Sequence, residues 1–233
     1  MGKSLTQQKR GKGSPTYKAN SFNYAAQVTQ ILQDKALIVD IINSIGHSAP
    51  LLKVKYKNNQ ESLMVAPEGV KIGDYLEKGK DVEVRTGNTL PLSKVPEGVF
   101  VFNIEVVPGD GGKLVRTSGT TARIVSKIRN KVILKLPSGK QKEFNPKCMA
   151  TVGVVAGSGR IEKPYLKAGN RMKSMYARGK YWPIVSGASM NAVDHPFGGS
   201  RSSRKGRPTI APKNAPPGRK VGMLKPKHTG RNK

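Results

Sequence analysis

From residue 161 to Lys233 the chain carries seventeen Lys or Arg against two acids, and its apolar side chains no longer recur at a regular spacing. A segment of that composition cannot bury enough apolar surface to offset its own conformational entropy. Any core must therefore be built before about residue 160, and the remainder takes its shape from a partner. From His195 onward there are eleven basic residues and no acid, interspersed with Gly and Pro that stop helix and sheet alike.

The charge identifies the partner's class. Over 233 residues, 42 Lys and Arg stand against 14 Asp and Glu, a formal net charge of +28. Such an excess repels itself in a compact form and calls for a polyanion, with nucleic acid the first expectation. Its distribution is uneven. Residues 36–110 hold eight basic and ten acidic side chains, whereas residues 111–160 hold eleven basic ones and a single acid, Glu143. This divides the chain into a basic N-terminal extension (1–35), a balanced module (36–110), a basic module (111–160) and a basic, largely extended C-terminal segment (161–233).

Both modules have the period of β structure. Ala36–Ile42 is a β-branched run, and Leu52, Val54 and Tyr56 alternate with Lys53, Lys55 and Lys57 as a half-buried strand requires. Further strands are expected over Ser62–Ala66, Asp81–Arg85 and Val99–Val107, separated by Gly- and Pro-bearing turns. Five short strands in that span suit an OB-like barrel. After Pro108-Gly-Asp-Gly-Gly112, strands are expected over Lys113–Thr117, Thr121–Lys127, Lys131–Leu136, Lys140–Phe144 and Ala150–Ala156. Arg129-Asn130 and Pro137-Ser-Gly139 have the chemistry of hairpin turns. The fold class expected is thus mainly β: a five-stranded OB-like barrel followed by an SH3-like barrel, with extended basic segments at both ends.

Several classes of function are disfavoured. The single Cys148 excludes an internal disulfide framework, and no Cys/His set has zinc-site spacing. No apolar run approaches the roughly twenty residues needed to cross a bilayer, so no membrane partner is expected. Met1–Thr6 satisfies the loose myristoylation pattern, but so short a pattern arises by chance, and Lys9 and Arg10 behind it fit RNA equally. Gly157-Ser-Gly159 lacks the spacing of a nucleophile elbow.

The candidate RNA-binding residues follow the charge. Lys9 and Arg10 lie in the N-terminal extension, while Lys113, Arg116, Arg123 and Arg160 would give the second barrel an electropositive face. Beyond it, Lys167, Asn170, Arg171, Arg178, Lys180 and Trp182 combine cations and amides with an aromatic able to stack on a base. In the tail, glycines such as Gly198 and Gly199 allow close approach to a phosphate backbone. Arg201, Arg204, Arg207, Arg219 and Lys220 supply bidentate or point-charge partners for phosphate.

Asn191-Ala-Val-Asp-His-Pro-Phe-Gly-Gly199 raises a separate question, because Asp194 is the only acid after Glu162 and His195 adjoins it. A general base needs an orienting partner and a tuned environment, and adjacent side chains in extended backbone point to opposite sides. The expectation is structural. Asp194 would accept hydrogen bonds from nearby backbone N–H groups or a 2′-hydroxyl, His195 would donate to or stack on RNA, and Asp194→Asn would disturb assembly of the region more than His195→Gln. No cofactor is expected beyond a structural magnesium ion shared with RNA at such a carboxylate.

Met190–Gly199 and Asn214-Ala-Pro-Pro-Gly-Arg-Lys-Val-Gly222 closely resemble signature stretches of the universal family of the second large-subunit ribosomal protein. Gly87-Asn-Thr-Leu-Pro-Leu92, Pro108–Gly112, Leu136–Gly139, Ala150–Gly157 and Lys167–Asn170 match in the same order, so the resemblance covers nearly the whole chain. It implies two barrels seated on large-subunit rRNA with the C-terminal extension running toward the peptidyl-transferase region. The partners it implies are that rRNA, neighbouring ribosomal proteins and the small subunit, in cytoplasmic ribosomes. Phe197, where bacterial members carry histidine, and Asn214–Gly222 point to the archaeal and eukaryotic branch, and the compact length to archaea. Ser200–Gly206 departs from the family pattern, so contacts there do not carry over. The competing readings are a general nucleic-acid-binding or RNA-chaperone protein, and an enzyme using Asp194 and His195.

Overall fold

The computed structural model describes residues 4, 9, 12, 24–28, 35–180, 182–198, 210–214 and 221. It comprises two compact units, Phe22–Leu166 and a second made of Met1–Ser21 with Lys167–Lys233.

Within Phe22–Leu166 the chain forms two antiparallel sheets. The first contains β1 (Lys35–Ile42), β2 (Leu51–Tyr56), β3 (Glu61–Val65) and β4 (Tyr75–Glu77), in the order β3-β2-β1-β4. Alternation sets its buried face, where Ala36, Ile38, Leu52, Val54 and Tyr56 pack with Met64 and Leu76. A bulge between Ile38 and Asp40 breaks the β1–β2 register. It leaves Val39 and Ile41 outside, each 39 % exposed.

Of the strands expected here, the one over residues 81–85 does not form, and β4 over Tyr75–Glu77 forms where none was expected. Residues 81–85 are held by a side chain instead: Asn88 donates from Nδ2 to the Glu83 carbonyl at 3.1 Å and accepts from the Glu77 N–H at 2.9 Å. Asn88 thus supplies the bonds a ladder would have provided.

The second sheet contains β5 (Thr89–Pro91), β6 (Phe100–Phe102), β7 (Ala122–Ile128), β8 (Lys131–Lys135), β9 (Gln141–Phe144) and β10 (Met149–Val152). Its order is β5-β10-β6-β7-β8-β9, so β10 returns to lie between β5 and β6. Strands from residues 89–102 therefore belong to this sheet, and Pro108–Gly112 is a turn inside it, closed by a bridge between Ile104 and Leu114. The strand expected over residues 113–117 reduces to that bridge, because Val115 adopts φ 54°, a conformation strongly disfavoured for a β-branched residue. Both hairpin turns form where expected, with Ile128 opposite Lys131 and the Gly139 N–H donating to the Leu136 carbonyl at 2.9 Å.

Leu90, Val101, Ile124, Leu134 and Cys148 are among the side chains of this sheet's core. A further cluster of Ala49, Leu51, Val65, Phe102 and Val155 draws on both sheets, with Val28 of the segment 24–28 joining it. At about 1.5–3 kcal/mol for each large apolar side chain removed from water, these clusters carry the unit.

In the other unit, the described residues after Leu166 hold two short elements that their composition did not announce, helix α1 (Ala168–Ala177) and a 3-10 turn at Gly187–Ser189. Ala, Arg, Met and Lys are good helix formers, and Gly179 at φ 64° ends α1, its N–H donating to the Tyr176 carbonyl at 2.9 Å. No residue of α1 is buried. A free helix of this length is marginal in water, as a segment that leans on a partner would be.

Candidate nucleic-acid interface

The second sheet presents its cations on one face because its strands alternate. In β7, Ala122 and Ile124 are buried while Arg123 is exposed; in β8, Val132 and Leu134 are buried while Lys131 and Lys135 are exposed. The register sets Arg123 opposite Lys135, and like charges facing each other across a ladder destabilise it unless an anion intervenes. Arg123 is anchored by its Nε–H to the Gly98 carbonyl at 3.3 Å.

The other basic residues singled out in this unit have different settings. Lys113 is exposed and pairs with Asp110 at 3.5 Å. Arg160 donates from Nε to Ser118 Oγ at 3.0 Å and is otherwise exposed. Arg116 is turned inward, donating to the Gly112 carbonyl at 3.1 Å and to the Val28 carbonyl at 3.3 Å. Burial lowers its pKa, and with those donors engaged it ties segment 24–28 to the barrel.

Two carboxylates shape the turn beside Lys113. Glu105, 1 % exposed, accepts from the N–H groups of Gly109, Gly111 and Met149 at 3.1, 3.3 and 2.9 Å. Asp110 accepts from Val106, Val107 and Gly112 at 3.0, 3.2 and 3.2 Å. Burial works against ionisation of Asp110, but those donors and the Lys113 ammonium outweigh it and hold the carboxyl below its ordinary pKa. Gly112 is obligatory, since a Cβ there would lie 2.5 Å from Asn103 Oδ1 with φ at +83°.

In the second unit, Lys167 is the N-cap residue of α1, and Asn170 and Arg171 are exposed in its first turn. The Arg171 guanidinium lies 5.8 Å from the Trp182 ring centroid, a cation–π spacing. Arg178 caps the C-terminus and the Lys180 N–H donates to the Met175 carbonyl at 2.9 Å. Lys9 is exposed. Arg10, Gly199, Arg201, Arg204, Arg207, Arg219 and Lys220 lie outside the described residues.

Asp194 and His195 sit in a turn rather than in extended backbone, and their N–H groups both donate to the Asn191 carbonyl, at 2.9 and 3.0 Å. His195 is 4 % exposed. Its Nδ1 accepts from the Phe197 N–H at 3.0 Å, and the two rings lie 5.0 Å apart. A Cβ on Gly187 would come within 2.9 Å of His195 Nε2. The imidazole is thus wedged inside its own loop, which Gly198 continues at φ 73° with its N–H on the His195 carbonyl at 2.8 Å. Asp194 is exposed, and within the loop it is the buried histidine that accepts a backbone N–H.

Residues that sequence reasoning passed over are Lys135 and Phe100. Lys135 was legible from alternation in Lys131–Lys135, but Phe100 needed the strand register. Among the described residues no three His, Cys, Asp or Glu side chains converge on a metal-sized site, and no helix is long and apolar enough to cross a membrane.

Residues 85–218 match the family described as Ribosomal Proteins L2, C-terminal domain. Relatives named large ribosomal subunit protein uL2 are similar along their full length. The protein from Methanosphaera stadtmanae is 48 % identical, with 100 % of both chains covered. That from Methanothermobacter thermautotrophicus is 46 % identical at the same coverage. That from Haloarcula marismortui is 48 % identical over 99 % of this chain and 98 % of its own. Similarity at this level, sustained from one end to the other and shared with archaeal proteins, leaves one assignment: the chain belongs to the uL2 family of large ribosomal subunit proteins.

Proposed function

We propose that the chain is a structural constituent of the large ribosomal subunit in the cytoplasm, holding segments of rRNA in one arrangement without catalysing a reaction. Its similarity to large-subunit proteins over the whole length carries this reading. The charge fits it: residues 22–166 hold +8 of the net +28, and the terminal segments hold +20. The sheets supply a rigid body and the basic segments reach between phosphates, a division suited to binding through counterion release and shape.

The finer role that suits this arrangement is support for the folding of the peptidyl-transferase region and for subunit association, with rRNA, neighbouring ribosomal proteins and the small subunit as partners. His195 acts as a wedge, since its buried ring and engaged Nδ1 leave it poorly placed to accept a proton from a substrate. Exposed Asp194 is the carboxylate able to meet a 2′-hydroxyl, or a magnesium ion whose remaining ligands the RNA would provide.

Sedimentation of a native extract, followed by a high-salt wash of the large-subunit fraction, tests the reading. Retention at about one copy per subunit is the expected result, because a site-specific component outlasts screening of the general attraction. Recovery at the top of the gradient would overturn it in favour of an RNA chaperone.

A further inference from the structure

We propose that the outer face of β6–β8 is a seat for one unpaired rRNA nucleotide, with the base stacked on Phe100 and its phosphate held between Arg123 and Lys135. The inference rests on the ribosomal reading and names a contact within it. The register places Phe100 opposite Arg123, Arg123 opposite Lys135, and Lys135 opposite Gln141, so four adjacent strands contribute one row of side chains. All four are exposed, Phe100 at 48 %, while Val101, Ala122 and Leu134 fill the opposite face.

A single exposed phenylalanine means little on its own. This one begins a row whose next two members, Arg123 and Lys135, are like charges that face each other across a ladder, an arrangement that costs stability until an anion lies between them. Among the described residues no carboxylate lies within ion-pair distance of either cation. Glu97 is turned to the Lys127 N–H at 2.8 Å, and Glu143 pairs with Lys131 at 2.6 Å. The Arg123 guanidinium is steadied by the Gly98 carbonyl through Nε alone, leaving its terminal amino groups for phosphate oxygens. Gln141 ends the row with an amide able to read a sugar hydroxyl or base edge.

An aromatic face with a guanidinium and an ammonium beside it matches a base and its phosphate. Stacking requires a base outside a helix, so the occupant is an unpaired nucleotide rather than a duplex. An acidic peptide would use the cations and leave the ring idle.

The test is chemical probing of rRNA bases in salt-washed large subunits that carry the full chain as wild type, Phe100→Ala or Phe100→Tyr, with ultraviolet crosslinking of the wild-type particles. The ring is half exposed, so the alanine variant keeps its fold. The expected result is that one unpaired nucleotide becomes roughly fivefold or more reactive in the alanine subunits, the loss of one base–aromatic stack. Tyrosine should restore protection, and the wild-type peptide spanning residues 98–102 should carry a crosslinked nucleotide. Identical profiles for Phe100→Ala and wild type would overturn the proposal. So would changes confined to paired bases, or a crosslink from this peptide to a protein. Absence of the wild-type chain from the washed subunit would instead remove the ribosomal reading itself.

Discussion

At the scale of single residues, His195 and His47 act structurally through Nδ1. His195 Nδ1 satisfies the N–H of Phe197, itself 1 % exposed. Leaving a buried N–H without a partner costs about 1–3 kcal/mol. His195→Gln should therefore reduce retention of the chain in salt-washed subunits, while His195→Asn, whose oxygen can take the place of Nδ1, retains it and Asp194→Asn does so at least as well. His47 offers a second case. Ser44 Oγ accepts from the Ala25 N–H at 3.1 Å and lies 2.8 Å from His47 Nδ1, a hydrogen bond that joins the imidazole to segment 24–28. Burial, with Arg116 adding repulsion, lowers the His47 pKa from 6.5. A depressed value means that the unfolded chain binds the proton more readily, so this stability is present above pH 6.5 and is lost as pH falls toward the folded-state value. The denaturation midpoint of the full chain should drop between pH 7.5 and 5.5, and His47→Asn should flatten that dependence.

Among the elements, the turn after β6 depends on carboxylates more than on strand pairing. Glu105 gathers three backbone N–H groups from two segments and is almost fully enclosed. Its charge also acts on Lys78, whose pKa burial lowers while Glu105 opposes the shift. Glu105→Gln turns an amide NH2 toward donors and removes charge-assisted bonds. It should destabilise the chain by about 1–3 kcal/mol, read by urea unfolding, with little change in secondary structure. Helix α1 is the contrasting element. None of its residues is buried, so its ends are set by local backbone geometry, with Gly179 closing the last turn.

For the whole molecule, charge is divided unevenly, with +8 on residues 22–166 and +20 on the remaining segments of the chain. Each neutralised phosphate contributes a log–log salt slope of about −0.7 to −0.9. Binding of rRNA by residues 22–166 alone should therefore show a much shallower slope than binding by the full chain, measured by filter retention across salt concentrations. Equal slopes would mean that the terminal segments are not the main phosphate contacts.

Local chemistry determined much by itself. Alternation in Leu51–Tyr56 and Lys131–Lys135 specified strands with one buried face, because a pleated backbone sends neighbouring side chains to opposite sides. The turn chemistry at Arg129-Asn130 and Pro137–Gly139 specified hairpins, because a few consecutive residues set how the chain reverses. Tertiary structure decided what depends on distant partners. Residues 81–85 lost their strand to the side chain of Asn88, and β10 came to lie between β5 and β6. Arg116 turned inward to the Val28 carbonyl, 88 positions away, while Phe100 stayed outside beside Arg123. The physical reason is one of range: period and turn preference are properties of a few consecutive residues, whereas the fate of a charge or ring depends on which distant segment is packed against it.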